Sequence, residues 1–280
     1  MLRVKHIRNA TDGNGTLFRG DMYQIPMNGL LGGATGQRIW EVNLVPQYSP
    51  GTRLVTEDGR VFRYAKANNI VSVRQFGLKF WGQIADGIAA VAAGTHAIGD
   101  KTVMLTGTAT KDEYKGGYLI IHSSPNQVRS IISNTATAGT TFSVTLGEPL
   151  TVAVTGAATY CEALQSPYSN VRLCAGPSGG DSGNEWSSVA GIPYTITAAA
   201  DTYLWLQTWG PMWVNPAGGS LLDAGVAVNE RQLVFDFEGS VIVADEAAAA
   251  TVYMQRAGFI IDRNEGGVSG PPLVMLQISP

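Results

Sequence analysis

Ser182 and His96 are the side chains of this sequence whose types and order could do covalent chemistry. Ser182 lies in the glycine-rich run Gly180-Asp181-Ser182-Gly183, and His96 precedes it in the chain. A serine hydroxyl becomes a nucleophile when a positioned imidazole takes its proton and an acid orients that imidazole. The pair would suit acyl transfer, so a serine hydrolase is one hypothesis for this chain.

The residues around this pair weaken the hypothesis. The run 173–183 looks like the neighbourhood of the nucleophile in trypsin-like proteases, but Asn184 stands where that family has a glycine. His96 lies in Gly-Thr-His-Ala instead of Ala-Ala-His-Cys, and no processed Ile-Val-Gly-Gly amino terminus is visible. A glycine-rich match of four residues is a weak signal in a chain with 34 glycines. We therefore expect 176–183 to be a loop, and the protein not to be an enzyme, with no catalytic residues.

Two further segments approach ligand-binding motifs without completing them. Residues 94–102 miss the phosphate-binding P-loop because Asp100 separates the second glycine from the lysine, and a predicted strand follows where a helix is needed. Residues 12–16 begin like a calcium loop, but Leu17 and Tyr23 occupy the positions of its glycine and glutamate. We expect no cofactor and no bound metal.

The histidines and cysteines are too sparse for a metal centre or a disulfide framework. His6, His96 and His122 lie far apart, and none has Cys, Asp or Glu at ligand spacing in the sequence. Cys161 and Cys174 are the two cysteines and lack the CxxC pairing of zinc sites. We expect both cysteines to be reduced residues of the core.

Composition describes the scaffold that must position these groups. The chain has 280 residues, of which 45% are hydrophobic and 15% charged, against roughly 25% charged in ordinary soluble domains. The net charge is −3 and no basic cluster occurs, so we expect no nucleic-acid partner. No secretory signal and no run of 18 apolar residues is present, which predicts synthesis in a cytoplasm and no membrane partner.

The apolar period is mostly two, which is typical of short strands. Eight such segments are bounded by Gly, Pro, Asn or Asp: 102–106, 117–122, 141–146, 150–155, 194–197, 203–209, 233–237 and 240–243. We predict an all-β fold, an antiparallel sandwich or barrel-like domain with little helix. Residues 84–93 and 245–254 are the two segments that could be helical.

The region 51–67 carries a hairpin signature. The alternating runs 53–56 and 60–64 flank Asp58-Gly59, a dipeptide that supplies the positive φ angles of a tight two-residue turn. Residues 1–48 contain few long apolar runs and read as an extended N-terminal arm, ordered by docking on its own domain or on a neighbouring subunit. We expect residues 49–280 to form a β-rich domain, with a division into 99–190 and 191–280.

The aromatic segment 203–213 is the strongest apolar signal. Period two places Tyr203, Trp205 and Trp209 on one face of a strand, which we predict to end at Gly210-Pro211 because proline cannot donate to the ladder. The tryptophans could fill the core of a central strand, or form a carbohydrate-stacking platform or a subunit contact.

Four short segments of the sequence together resemble a known family. The sequence DGRVFRYA at 58–65, the segment 114–122, Pro167-Tyr168 and WLQTWGP at 205–211 occur in an order similar to structural proteins of tailed-phage virions. The resemblance extends over residues 40–280, but only as separate matching segments. It implies a coat component of the capsid shell, a decoration or cement protein, with the major capsid protein and other copies of itself as partners. The resemblance also implies that the protein is a homotrimer.

A second hypothesis comes from a different class of protein. A tail-fibre or receptor-binding module would use exposed aromatic rings such as Trp209 and Trp213 to stack on host-surface carbohydrate. Burial distinguishes the two, since tryptophans that line a solvent-facing groove favour sugar binding and buried ones favour assembly.

Overall fold

The computed structural model is an antiparallel all-β protein, which confirms the predicted fold class. It describes residues 17–19, 22–24, 37–67, 71–72, 78–80, 89–156, 159–173, 188–194, 197–198, 200–214, 231–236, 239–244, 255–262 and 272–280. This described part contains 22 strands and no α-helix. In chain order they are β1 Leu17–Arg19, β2 Met22–Gln24, β3 Arg53–Val55, β4 Val61–Lys66, β5 Val71–Ser72, β6 Leu78–Phe80, β7 Ala89–Val91, β8 Thr95–His96, β9 Thr102–Thr106, β10 Tyr118–His122, β11 Gln127–Asn134, β12 Thr141–Leu146, β13 Val154–Thr155, β14 Tyr160–Leu164, β15 Val171–Leu173, β16 Val189–Pro193, β17 Thr197–Ala198, β18 Tyr203–Trp213, β19 Gln232–Phe235, β20 Val241–Val243, β21 Arg256–Asp262 and β22 Leu273–Gln277.

The chain forms two compact units, and the sequence of the second is inserted within the sequence of the first. The first unit comprises Met1–Trp81 and Asn170–Pro280, and the second comprises Gly82–Ser169. The chain leaves the first unit after β6 and returns through β15, and these two strands pair directly, with Phe80 opposite Val171. This division differs from the one expected at 99–190 and 191–280, because the pairing of β6 with β15 joins segments that are distant in sequence.

The second unit is a small barrel. Six strands follow the order β7, β14, β10, β11, β12, β9, and an antiparallel bridge between Ala92 and Leu105 joins the two end strands. Side chains alternate along β9 and β12, so that Leu105, Phe142 and Val144 point inward and are buried. This alternation is the period-two pattern of the sequence, and it predicted β9 and β12 at their observed bounds.

The first unit is built around a ten-stranded sheet. Its strands run in the order β15, β6, β16, β18, β22, β21, β19, β20, and the β3–β4 hairpin lies on the other edge of β18. β18 is the central strand and pairs with β4, β16 and β22. Two pairs of short strands, β1–β2 and β5–β17, form separate two-stranded sheets.

Part of the predicted N-terminal arm docks on its own unit. Residues 37–48 run beside the start of β18, where Asn43 and Tyr203 exchange two backbone hydrogen bonds of 3.0 and 2.7 Å. Ile39 is buried in a cluster with Tyr64 and Trp205. Most of residues 1–36 lie outside the part of the chain that the structure describes.

The β3–β4 hairpin is present, but its turn differs from the predicted one. The Gly59 amide donates to the Thr56 carbonyl at 3.0 Å, and the Thr56 amide donates to the Arg60 carbonyl at 2.9 Å. Only Gly59 has a positive φ, +83°, so the loop is a three-residue turn with a glycine bulge and not a two-residue turn. The side chain of Asp58 closes the loop with a 2.7 Å ion pair to Arg60.

The predicted end of the tryptophan strand at Gly210-Pro211 is wrong. β18 continues to Trp213, because β4 pairs with this strand only as far as Trp209 and leaves one edge open at Pro211. The amide of Gln207 donates to the carbonyls of Trp209, Gly210 and Pro211 at 3.0 to 3.1 Å. The two N–H groups of that amide therefore share three carbonyls around Gly210, whose φ is +98°.

The helix considered at 84–93 is wrong at its C-terminal end, where Ala89–Val91 forms β7 and pairs with β14. Pairing across the barrel overrides the helical propensity of the alanines. The segment 245–254 lies outside the described residues.

Candidate functional site

The outer face of β18, β22 and β21 is the most unusual surface among the described residues. The inward-pointing side chains of these strands are buried in one hydrophobic cluster: Met212, Ile260, Val274 and Leu276. In an antiparallel sheet with one buried face, the outward-pointing positions are normally polar. Here six of these positions are apolar, and we call this group the apolar face: Pro211, Trp213, Phe259, Ile261, Leu273 and Met275.

The strand register places these side chains in two adjacent rows. Trp213 lies opposite Leu273, which lies opposite Asp262. In the next row, two residues along β18 and β22, Pro211 lies opposite Met275, and Met275 lies opposite Phe259. Directly opposed residues share a face of the sheet and have Cβ atoms about 4.5 to 5.5 Å apart. The apolar face is therefore contiguous across three strands.

The apolar face is also accessible. The exposed fraction is 49% for Trp213, 39% for Phe259, and 40% for both Ile261 and Leu273. Single exposed apolar residues are ordinary, whereas a contiguous exposed patch marks a site where another molecule binds. This surface can exclude water from a partner, and its described side chains offer little hydrogen-bonding chemistry.

Two register shifts in β21, one beside Gly258 and one between Ile260 and Asp262, set the composition of this face. The register shifts between Leu233 and Val234 of the neighbouring strand, so that Arg256 and Phe259 share the outer face although they are three positions apart. Gly258 makes the kink with a φ of +146°, and a Cβ there would lie 1.8 Å from the carbonyl oxygen of Met275. Only glycine allows this close approach.

The tryptophans of β18 take three different environments. Trp205 is fully buried and packs edge-on against Tyr64, with ring centroids 4.9 Å apart. Trp209 is half-buried. Trp213 is exposed on the apolar face. The core interpretation of the aromatic strand is confirmed for Trp205, and the exposed surface begins at its other end.

Of the serine hydrolase pair, the structure describes His96 alone. Ser182 and Cys174 lie outside the described residues. The Nε2 atom of His96 accepts a hydrogen bond from the Met104 amide at 3.1 Å. A neutral imidazole has one acceptor nitrogen, so in this arrangement His96 already uses the atom that would take a proton from a nucleophile.

The remaining motif residues occupy ordinary structural positions or lie outside the described part. Residues 94–102 form β8, a turn and the start of β9, and the Asp100 carboxylate caps that turn by accepting from the Ala97 amide at 2.7 Å. His122 lies on the barrel exterior, with Nε2 2.8 Å from Glu162 Oε1. His6 and residues 12–16 are not described.

No group of three or more potential metal ligands is found where the structure is described. The same described residues include no helix long and apolar enough to cross a membrane.

Cys161 is buried in the barrel core, as expected from the sequence, and has no disulfide partner in the described part of the chain. Burial raises the pKa of its thiol from 9.0 to about 11, because the thiolate would lose its hydration.

Sequence reasoning missed most of the apolar face, since β21 and β22 were not among the predicted strands. Gly258-Phe-Ile-Ile-Asp262 and Leu273-Val-Met-Leu-Gln277 are nearly continuous apolar runs. Such runs are typical of strands buried on both faces, so they carry no sign that one face is exposed.

No protein-family model matches this chain, and neither the curated proteins nor the solved structures include a significant match to it.

Proposed function

We propose that this chain is a structural protein of a tailed-phage virion, a capsid decoration or cement protein that stabilises the head through contacts with the major capsid protein and with copies of itself. Two lines of support are independent of each other. The motifs at 58–65 and 205–211 resemble such proteins, and the apolar face is suited to protein–protein contact. The proposal places the protein on the capsid shell and assigns it no catalytic residues.

The observation that carries the proposal is the apolar face itself. Trp213, Leu273 and Phe259 are held on a paired sheet, so binding a rigid partner costs little ordering entropy. Aromatic side chains are enriched at such contacts, because they bury a large area with few rotatable bonds. On a symmetric shell many weak contacts act together, so a face of modest size is sufficient.

Exposure of Trp213 also favours the second candidate, a carbohydrate-binding tail module. Stacking on a sugar ring requires polar groups beside the aromatic ring that bind the hydroxyls. The described residues opposite and diagonal to Trp213 are Leu273 and Met275, which cannot donate or accept strong hydrogen bonds. The surroundings of Trp213 therefore support a protein partner more than a sugar.

The decisive experiment is electron microscopy of intact virions of the phage that encodes this chain, with its position read from the density. Density on the head shell is the expected result, and density confined to the tail would exclude the cement function.

A binding assay supplies the residue-level test. Particles that lack the protein are incubated with purified Leu273→Asp and, as a matched control, Met104→Asp. Both residues are 40% exposed, but Met104 lies on the barrel instead of the apolar face. We expect the first variant to lose at least tenfold in binding and the second to bind normally. Equal binding of both would contradict the assigned surface.

A further inference from the structure

We propose that the apolar face binds the same face of a second copy of this chain, with the two β21 strands antiparallel and Arg256 of each copy paired with Asp262 of the other. This inference rests on the proposed function only in that the occupant of the face is a coat subunit. It adds the identity of the subunit, the direction of the contact and the ion pairs that fix it.

The first step is the position of the two charges. Asp262 lies opposite Leu273, in the row that contains Trp213. Arg256 lies opposite Val234, which is two residues from Gln232, and Gln232 lies opposite Phe259. Both charged residues therefore belong to the outer face. They stand at opposite ends of β21, with Phe259 between them.

The second step is that both charges lack a counter-charge among the residues that the structure describes. Arg256 and Asp262 are exposed, and neither forms an ion pair with another residue in the described part of the chain. By the strand register each of them lies two positions along the sheet from Phe259, so about 13 Å separates them along β21 at 3.3 to 3.4 Å per residue. They form no ion pair with each other. An apolar face with opposite charges at its two ends is complementary to itself.

The third step is the symmetry that uses this complementarity. A twofold axis along the row of Pro211, Met275 and Phe259 reverses the strand direction, so Asp262 of one copy faces Arg256 of the other. Phe259, Met275 and Pro211 then face their own counterparts. Trp213 faces Trp209 and Leu273 faces Gln277 on the same outer surface, and the contact is isologous. A twofold axis parallel to the strands would instead place Asp262 over Trp213 and bury the charge without a partner, which is costly.

The area of the face sets the strength of the contact. Large side chains bury about 150 to 250 Å² each when fully covered, so the exposed parts of these six side chains present roughly 400 Å². A standard interface takes about 800 Å² from each partner. The contact is therefore a weak dimer in solution that becomes persistent when many copies are held on one particle. It joins copies in pairs, and so differs from the trimer that the family resemblance implies.

The test is sedimentation velocity on the full chain between about 1 and 300 μM, a range suited to weak dimers. We expect a monomer–dimer equilibrium for the wild-type protein. Arg256→Asp and Asp262→Arg each place like charges together twice in the contact, and each is expected to weaken the dimer about tenfold or more. The double variant Arg256→Asp/Asp262→Arg restores both ion pairs and should return the affinity to within about threefold of wild type. Lys111→Asp, an exposed charge reversal on the barrel, is the control and should have no effect.

Circular dichroism of each variant establishes that the fold is retained, as expected for exposed residues. A protein that stays monomeric over the whole range would overturn the inference, as would a trimer or a double variant that dimerises no better than the single ones. If Leu273→Asp blocks binding to particles while the wild-type chain stays monomeric, the capsid protein occupies the face and only this inference fails. If the dimer forms as described but the chain is absent from virion heads, the cement function fails and the self-contact remains.

Discussion

The indole N–H of Trp205 donates a hydrogen bond to the backbone carbonyl of Gln37, with Nε1 3.0 Å from that oxygen. The side chain of Gln37 extends the contact. Its amide nitrogen donates to the carbonyls of Glu41 and Tyr203 at 2.7 and 2.6 Å, and its oxygen accepts from the Tyr64 hydroxyl. One buried glutamine thus fastens the segment before β3 onto the central strand of the first unit.

Replacing Gln37 by methionine should loosen this attachment. The variant keeps the side-chain volume but removes the acceptor of the buried Tyr64 hydroxyl proton and leaves the Tyr203 carbonyl with the Asn43 amide as its remaining donor. We expect a loss of about 1 to 3 kcal/mol in the free energy of unfolding. Chemical denaturation monitored by tryptophan fluorescence measures it. The control is Gln47→Met, at an exposed glutamine, and an equal loss for both variants would disagree with the role given to Gln37.

Truncating two tryptophans of the same strand should cost very different amounts of stability. Trp205→Ala removes a fully buried indole and should cost about 3 to 5 kcal/mol of stability. Trp213→Ala removes a side chain that is 49% exposed and should cost less than about 1 kcal/mol. Thermal melts of the two variants, followed by circular dichroism, provide the comparison. A larger destabilisation from Trp213 would mean that its face is part of the core.

Two glycines with positive φ should differ in their tolerance of alanine. At Gly258 the new Cβ would overlap the Met275 carbonyl, which is backbone and cannot rotate away. Gly258→Ala is therefore expected to cost more than about 3 kcal/mol and to disturb the apolar face. At Gly59, with φ +83°, nothing lies within 4 Å of the added Cβ, so Gly59→Ala should cost about 1 kcal/mol from backbone strain alone. Unfolding curves that ranked the two variants equally would contradict the close approach at Gly258.

The thiol of Cys161 should resist alkylation in the folded protein. Its pKa is raised from 9.0 to about 11 by burial, and only the thiolate reacts. In a Cys174→Ser background, we expect labelling by iodoacetamide at pH 8 to be at least a hundredfold slower in buffer than in denaturant, with mass spectrometry as the readout. Rapid labelling of the native protein would show that the barrel core opens.

The same shift has a consequence for stability against pH. The pKa of the Cys161 thiol is higher in the folded protein than in the unfolded one. Its contribution to the free energy of unfolding is therefore fully present below about pH 9 and is lost as the pH rises to about 11. Comparison with Cys161→Ala, which lacks the titrating group, isolates the contribution. Parallel stability curves for the two proteins between pH 8 and 11 would show that the thiol has no part in it.

The sequence predicted what is encoded locally. Alternation in 102–106 and 141–146 defined β9 and β12, because the two faces of those strands meet different environments. The insertion could not be predicted in this way, since the pairing of Phe80 with Val171 leaves no local trace in either segment. The apolar face was missed for a different reason. Phe259 and Leu273 belong to runs that are apolar on both faces, and only the strand order shows which face has no neighbour.

The position of the barrel between β6 and β15 bears on the order of folding. Pairing Phe80 with Val171 in an unfolded chain means closing a loop of about 90 residues, and the entropic cost of closure grows with loop length. If the barrel folds first, from strands that are near one another in sequence, a compact body replaces that long flexible loop. The chain segments of β6 and β15 then have a smaller volume to search before they pair. Folding of the inserted unit would in this way accelerate the pairing of β6 with β15 and the completion of the larger sheet.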